Sequence, residues 1–246
     1  MLLKLQPFLY SLFFLLGLEL IVFGSSATFI VAFFLLVLSV YSGVKLGGKW
    51  FFSILPSFLA LSSMTLLFLV TASLDKQIFI ALSTGIFYLA VFGAYRLGLY
   101  MDDRTARGMN MAAMASTIFF AYASAYGFYL NFYVPLYYLM GAYWLVTLLV
   151  SCQYFLIIKK DNSKTVWAYS FLLAFVMAEV VWVMSFWPFG YLTAGVIALI
   201  LYYVIWDLIQ SYFLNILNKK RVVANMVFFP VIIAMVLLSA KWLPIA

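Results

Sequence analysis

The chain has no histidine, a single cysteine (Cys152) and only 9% charged residues among its 246. Without histidine it lacks the usual general base near neutral pH and the commonest metal ligand. One cysteine allows no internal disulfide and no Cys-rich metal cage. Set within an apolar run, Cys152 reads as a small buried hydrophobe rather than a nucleophile. Neither a metal nor a cofactor is therefore expected. The phosphate-binding Gly-rich loop, the paired-histidine zinc pattern and the dinucleotide fingerprint are missing as well. No polar stretch is long enough for a separate water-facing domain, so residues 1–246 are expected to form one polytopic transmembrane domain.

What is present is apolar. Hydrophobic residues make up 68% of the chain, against about half in an ordinary soluble domain. That leaves too little polar side chain to cover a water-facing surface, so the solvent must be the lipid bilayer. Nine apolar runs follow, at 7–24, 27–45, 51–73, 77–100, 109–132, 134–158, 166–187, 190–217 and 226–244. Each is long enough to cross ~30 Å of hydrocarbon at ~1.5 Å per residue. The expected fold is an all-α membrane protein, a bundle of about nine transmembrane helices.

The net charge of +7 would otherwise invite nucleic acid, but the basic residues fall in the short breaks between runs. They read as orientation signals, and nucleic acid is not an expected partner. With a cytoplasmic N-terminus, Lys4, Lys45, Lys49, Arg96, Arg104, Arg107, Lys159, Lys160, Lys164, Lys219, Lys220 and Arg221 all fall inside, and only Lys76 and Lys241 outside. Twelve against two fits the positive-inside rule and also supports the helix count, since losing one interior span would break the alternation. The C-terminus is then expected outside. A rival reading takes the first run as a signal peptide cleaved near Ser25-Ser26-Ala27; the length of the run and Glu19 within it argue against cleavage.

The fifth run is rich in small residues, among them Ala112, Ala113, Ser116, Ala123, Ser124 and Gly127. Small residues let helix backbones approach closely in lipid, so this helix is expected to sit centrally in its bundle. Tyr122, Tyr126, Tyr129, Tyr133, Tyr137 and Tyr138 crowd its outer end and the start of the next run. They read first as an interfacial aromatic belt, with a ligand-lining cluster as the alternative.

Three carboxylates lie within apolar runs: Glu19, Glu179 and Asp207. A charge there is expensive unless it is neutralised, paired or wet, which makes such residues functional candidates. Counted from the inner ends of their runs, all three fall in one layer near or just outside the midplane, and no Lys or Arg shares it. They are expected to be protonated and hydrogen-bonded, or ionised beside water or a bound cation. Tyr203, Gln210, Ser211 and Asn218 share a face with Asp207, a polar stripe that would line a wet inward cavity or bond to another helix. Glu179 has Phe175, Val176, Trp182 and Val183 around it, a drier setting. Together Glu19, Glu179, Asp207, Tyr203, Gln210 and Ser211 are the candidate substrate or proton pathway.

The densest charge cluster is the inner loop Met101 to Gly108, with Asp102, Asp103, Arg104 and Arg107. It imitates the opening of the CDP-alcohol phosphotransferase signature. That signature continues with a glycine and two metal-binding aspartates, where this sequence has Ser116, Phe120 and Ser124, so two-metal phosphoryl chemistry cannot be assembled. A retinal-type Schiff base is unsupported too, because Lys241 is five residues from the C-terminus.

Glu179, Trp182, Pro188-Phe189-Gly190-Tyr191-Leu192, Tyr202-Tyr203 and Trp206-Asp207 resemble an uncharacterised family of multi-pass bacterial inner-membrane proteins, over the last third of the chain. The resemblance implies a location in the cell inner (plasma) membrane and supplies no catalytic residue. Short connections and scarce polar chemistry lead to a non-enzymatic scaffold or assembly subunit, with a membrane-protein partner or a homo-oligomer as its company. The alternatives are a small proton- or cation-coupled permease using the buried carboxylates, and a lipid-handling enzyme at the cytoplasmic rim.

Overall fold

In hydrocarbon a backbone amide finds no water, so each apolar run must satisfy its N–H and C=O groups internally, and the helix is the open-ended way to do so. The computed structural model describes residues 2–24, 28–159 and 163–240. Among these residues there are nine α-helices: α1 (Leu2–Val22), α2 (Thr28–Gly47), α3 (Ile54–Leu69), α4 (Ser73–Leu99), α5 (Arg104–Asn131), α6 (Leu136–Ile158), α7 (Ser163–Met184), α8 (Tyr191–Phe213) and α9 (Lys219–Ser239). A 3-10 turn, Trp50–Ser53, leads directly into α3. All nine are long and apolar enough to cross a membrane, α3 together with its leading turn. Ser25, Ser26, Ala27, Lys160 and Lys241, which carry the cleavage alternative and part of the charge bias, lie outside the described residues.

Contacts divide the chain into two compact units, Met1–Ala121 and Tyr122–Ala246, with the boundary inside α5. In the first unit α1 packs on α2 and α4, and α2 packs on α3 and α4. Phe14 of α1 stacks on Phe87 of α4 with ring centroids 4.3 Å apart. Gly43 and Gly47, one turn apart on α2, form a groove for the 3-10 turn. A Cβ at Gly43 would lie 2.5 Å from the Ser53 Cα, and one at Gly47 would lie 2.5 Å from the Phe52 ring. The fully buried Phe52 fits only because both side chains are missing.

In the second unit α6 and α7 form the most extensive helix pair, α7 and α8 are joined by the turn at 185–190, and α9 packs on α8. The C-terminal part of α5 takes part through Ala123. Ala123 is fully buried, and a Cβ added to Gly195 of α8 would come within 2.9 Å of the Ala123 Cβ.

Two helix ends differ from the sequence expectation. α8 stops at Phe213 rather than 217, because Asn215 adopts a left-handed backbone with φ 55°. Asn218 then leaves the polar stripe and becomes the N-cap of α9, its side chain accepting from the Lys220 N–H. Since α9 starts at Lys219 rather than 226, Pro230 lies mid-helix and not in the first turns.

Candidate functional site

The polar groups of the second unit are concentrated where α5, α6 and α8 supply tyrosines and hydroxyls at one-turn spacing. Tyr143, Thr147 and Ser151 follow one another four residues apart on α6, so they share a face. The Thr147 hydroxyl donates to the Tyr143 carbonyl at 2.5 Å. Its only proton is thereby used, so the Tyr122 hydroxyl, 2.6 Å away, must be the donor to Thr147. Tyr143 in turn donates to the Tyr122 carbonyl at 3.1 Å, and the two rings stack with centroids 4.0 Å apart. Ser151 and Tyr202 share a hydrogen bond of 2.9 Å, and Tyr126 donates to the Met184 carbonyl at 3.0 Å.

Tyr122, Tyr126, Tyr143 and Tyr202 are buried, whereas Tyr133, Tyr137 and Tyr138 are exposed. The expected aromatic belt is therefore two populations: an exposed set at the α5–α6 connection and a core set one to three turns deeper. The sequence reading missed Tyr143, Thr147, Ser151 and Tyr202. The four-residue repeat of Tyr143, Thr147 and Ser151 on α6 was the available signal, while Tyr202 entered only through the family resemblance.

Asp207 is buried, and the Asn225 side chain of α9 donates to its Oδ2 at 2.8 Å. Tyr203, half-buried, places its ring 5.7 Å from Phe229 of the same helix. The stripe thus faces another helix, the second of the two arrangements expected for it. Ser211 is fully buried, with its hydroxyl unpaired among the described residues, and Gln210 is half-buried.

Glu179 is exposed. The buried face of α7 is Val166, Ser170, Leu173, Ala174, Met177, Ala178, Val181 and Met184, and Glu179 lies on the opposite side. It has no hydrogen-bond or ion-pair partner among the described residues. Glu179 is five residues before the end of α7, and Asp207 is sixteen after the start of α8. Because the two helices run antiparallel through a tight turn, the acids are about 16 Å apart along the axis. The single layer expected for them does not form, because run lengths were counted to apolar boundaries and not to helix ends. In the first unit Glu19 is half-buried in the last turn of α1 and accepts from the Gln77 side chain of α4 at 3.2 Å.

The charged loop is internally paired. Asp103 caps α5, accepting the Thr105 N–H at 2.9 Å and the Ala106 N–H at 3.2 Å, and pairs with Arg96 at 2.6 Å. Desolvation would raise its carboxyl pKa, but the Ala106 amide, the Arg96 guanidinium and the Thr105 amide together hold it below the ordinary aspartate value. Arg107 binds Asp102 at 2.6 Å and the Met101 carbonyl at 2.9 Å, while Arg104, the first residue of α5, is exposed. Cys152 is buried and free, and no group of three metal-ligating side chains occurs among the described residues.

Nine helices long and apolar enough to cross a membrane, with hydroxyl and amide groups bonded helix to helix inside them, define a multi-pass α-helical membrane architecture. Residues 38–240 match the family described as "Protein of unknown function (DUF5656)", and the chain belongs to that family. No curated protein matches the chain. No solved structure matches it either.

Proposed function

We propose that the protein is a non-enzymatic scaffold or assembly subunit of the bacterial inner membrane, with its N-terminus cytoplasmic and its C-terminus outside. The observation that carries this reading is the closed set of bonds among Tyr122, Tyr143 and Thr147, in which each hydroxyl proton has an acceptor on a neighbouring helix or turn. Polar groups spent on one another in this way hold helices in fixed register. The apolar face of α7 and the side of α9 turned away from α8 are left outward, as a subunit that joins others requires. The orientation rests on the charge bias and is tested by thiol labelling of single cysteines placed at Lys76 and Asn218 in a Cys152→Ala background. Only the position 76 thiol should react from outside.

The test of the function is native mass spectrometry of the protein extracted gently from its own membrane. A stoichiometric protein partner is the expected result; a lone chain carrying a bound small molecule overturns the reading. A permease reading is favoured by one observation, the buried Asp207 within a polar stripe. For it, Asp207→Asn should abolish transport at unchanged folded yield. The enzyme reading would need Asp102 or Asp103 to leave its arginine; lipid-precursor turnover must then fall in Asp102→Ala and Asp103→Ala.

A further inference from the structure

We infer that the outward face of α7 around Glu179 is a docking surface for a transmembrane helix of another protein, one that presents a lysine or arginine to this acid. The inference rests on the scaffold reading and names the chemistry of its partner. Among the described residues, Glu179 is the one exposed Asp, Glu, Lys or Arg more than a turn from a helix end. Lys45, Asp75, Arg104, Lys164, Lys219 and Lys220, the other exposed charges described on the helices, all lie within three residues of an end, from which a side chain reaches the interface. Glu179 lies about 7.5 Å inside the end of α7 and about 24 Å from its start. A carboxylate facing lipid tails at that depth is costly, and such residues pair with an opposite charge or a donor.

The neighbours specify the sign of the partner. Phe175, Glu179 and Trp182 follow at four and three residues on one face of α7, and both aromatic side chains are about half exposed. An acid flanked by two aromatic side chains suits a cation, since an aromatic ring attracts positive charge at its face as the carboxylate does. Phe171 and Phe186 extend the apolar ridge on either side, so the occupant is an apolar helix with one cationic side chain in its outer half. Of the basic side chains that the charge bias puts outside, the described one, Lys76, is half-buried and three residues inside α4, so a second copy suits Glu179 less well than a helix with a basic residue in its outer half.

The test places a photoreactive benzoylphenylalanine at Phe175 and irradiates native membranes of wild type, Glu179→Gln and Glu179→Lys. The expected product is a crosslink to an apolar segment of a different protein that contains Lys or Arg. Its yield falls at least tenfold in Glu179→Lys and recovers when the partner's basic residue is changed to Glu. Crosslinks to lipid alone or to a second copy overturn the inference, as does a yield indifferent to Glu179→Lys. Native mass spectrometry of the same variants separates the two readings. A partner retained by Glu179→Lys leaves the scaffold standing without this surface, and a lone wild-type chain removes both. Glu179 is exposed, so unchanged thermal unfolding is expected in each variant and excludes misfolding as the cause of a lost crosslink.

Discussion

Gly195→Ala should destabilise the second unit although alanine is the better helix former. The new Cβ would stand 2.9 Å from the Ala123 Cβ, 3.1 Å from its Cα and 3.2 Å from its N. Carbon atoms pack at about 3.5–4.0 Å, so α8 and α5 must part by several tenths of an ångström or more. Two of the three obstacles are backbone, and no rotamer change relieves them. Overpacking of this kind costs about 1–3 kcal/mol, against about 1 kcal/mol gained by replacing a mid-helix glycine. Gly141 of α6 is the control, because a Cβ there meets nothing within 4 Å. Gly141→Ala collects the propensity gain alone, so the difference between the two variants isolates the clash. Reversible unfolding in mixed micelles, or steric trapping in bilayers, should rank Gly141→Ala above wild type and Gly195→Ala about 1–3 kcal/mol below Gly141→Ala. Equal stability of the two alanine variants would refute the close approach of these helices.

Three further outcomes are expected. Tyr122→Phe removes a donor whose acceptor, Thr147, keeps its own bond to Tyr143, so it should cost about 0.6 kcal/mol, an average membrane hydrogen bond. Thr147→Val strands the Tyr122 hydroxyl and should cost about 1–3 kcal/mol; the double variant, in the same unfolding assay, should lose less than the sum. Because the Asp103 carboxyl is held below its ordinary value, folding favours its charged form. Its contribution is complete above the unfolded aspartate pKa of about 3.9 and is lost as pH falls through the lower folded value. Thermal unfolding between neutral pH and pH ~2.5 should show that loss in wild type, and Asp103→Asn should flatten it. Asn225→Leu removes the bond from α9 to Asp207, and hydrogen exchange should quicken by roughly fivefold or more in α9 while α6 and α7 hold steady.

The nine helices were legible because length and apolarity are read directly from the residues, and a backbone in hydrocarbon is left with the helix as the way to satisfy itself. Their ends were not. An apolar run stops where hydrocarbon stops, but hydrogen bonding continues through polar residues into the interface. Thus α9 extends back to Lys219, and α4 starts at Ser73 rather than 77. The reverse error occurs at α8, where Leu214, Ile216 and Leu217 keep the hydropathy high after Asn215 has ended the helix. Asn215 was the legible stop, being one of the few residue types that tolerate the left-handed conformation. Gly43 and Gly47 were legible too, as glycines four apart in an apolar helix.

The candidate site was half legible for a related reason. Asp207 was placed on a polar stripe by spacing alone, and the stripe does meet another helix through Asn225. Glu179 was read as interior because a charge among apolar residues is taken to be enclosed by them. In lipid that inference fails, since both faces of a helix are apolar and polarity no longer separates inside from outside. Size separates them better. The small residues of α7, Ser170, Ala174 and Ala178, all lie on its buried face beside Leu173 and Met177, and its exposed face carries the aromatic Phe171, Phe175 and Trp182. Glu179 falls among the large residues, and that neighbourhood already marks it as outward. The same argument holds in reverse for Tyr122. It neighbours Ala121 and Ala123 on the small-residue stretch of α5, and there a tyrosine is enclosed by the bundle and must find its acceptor in Thr147. On the large-residue face Glu179 meets no such acceptor or donor among the described residues.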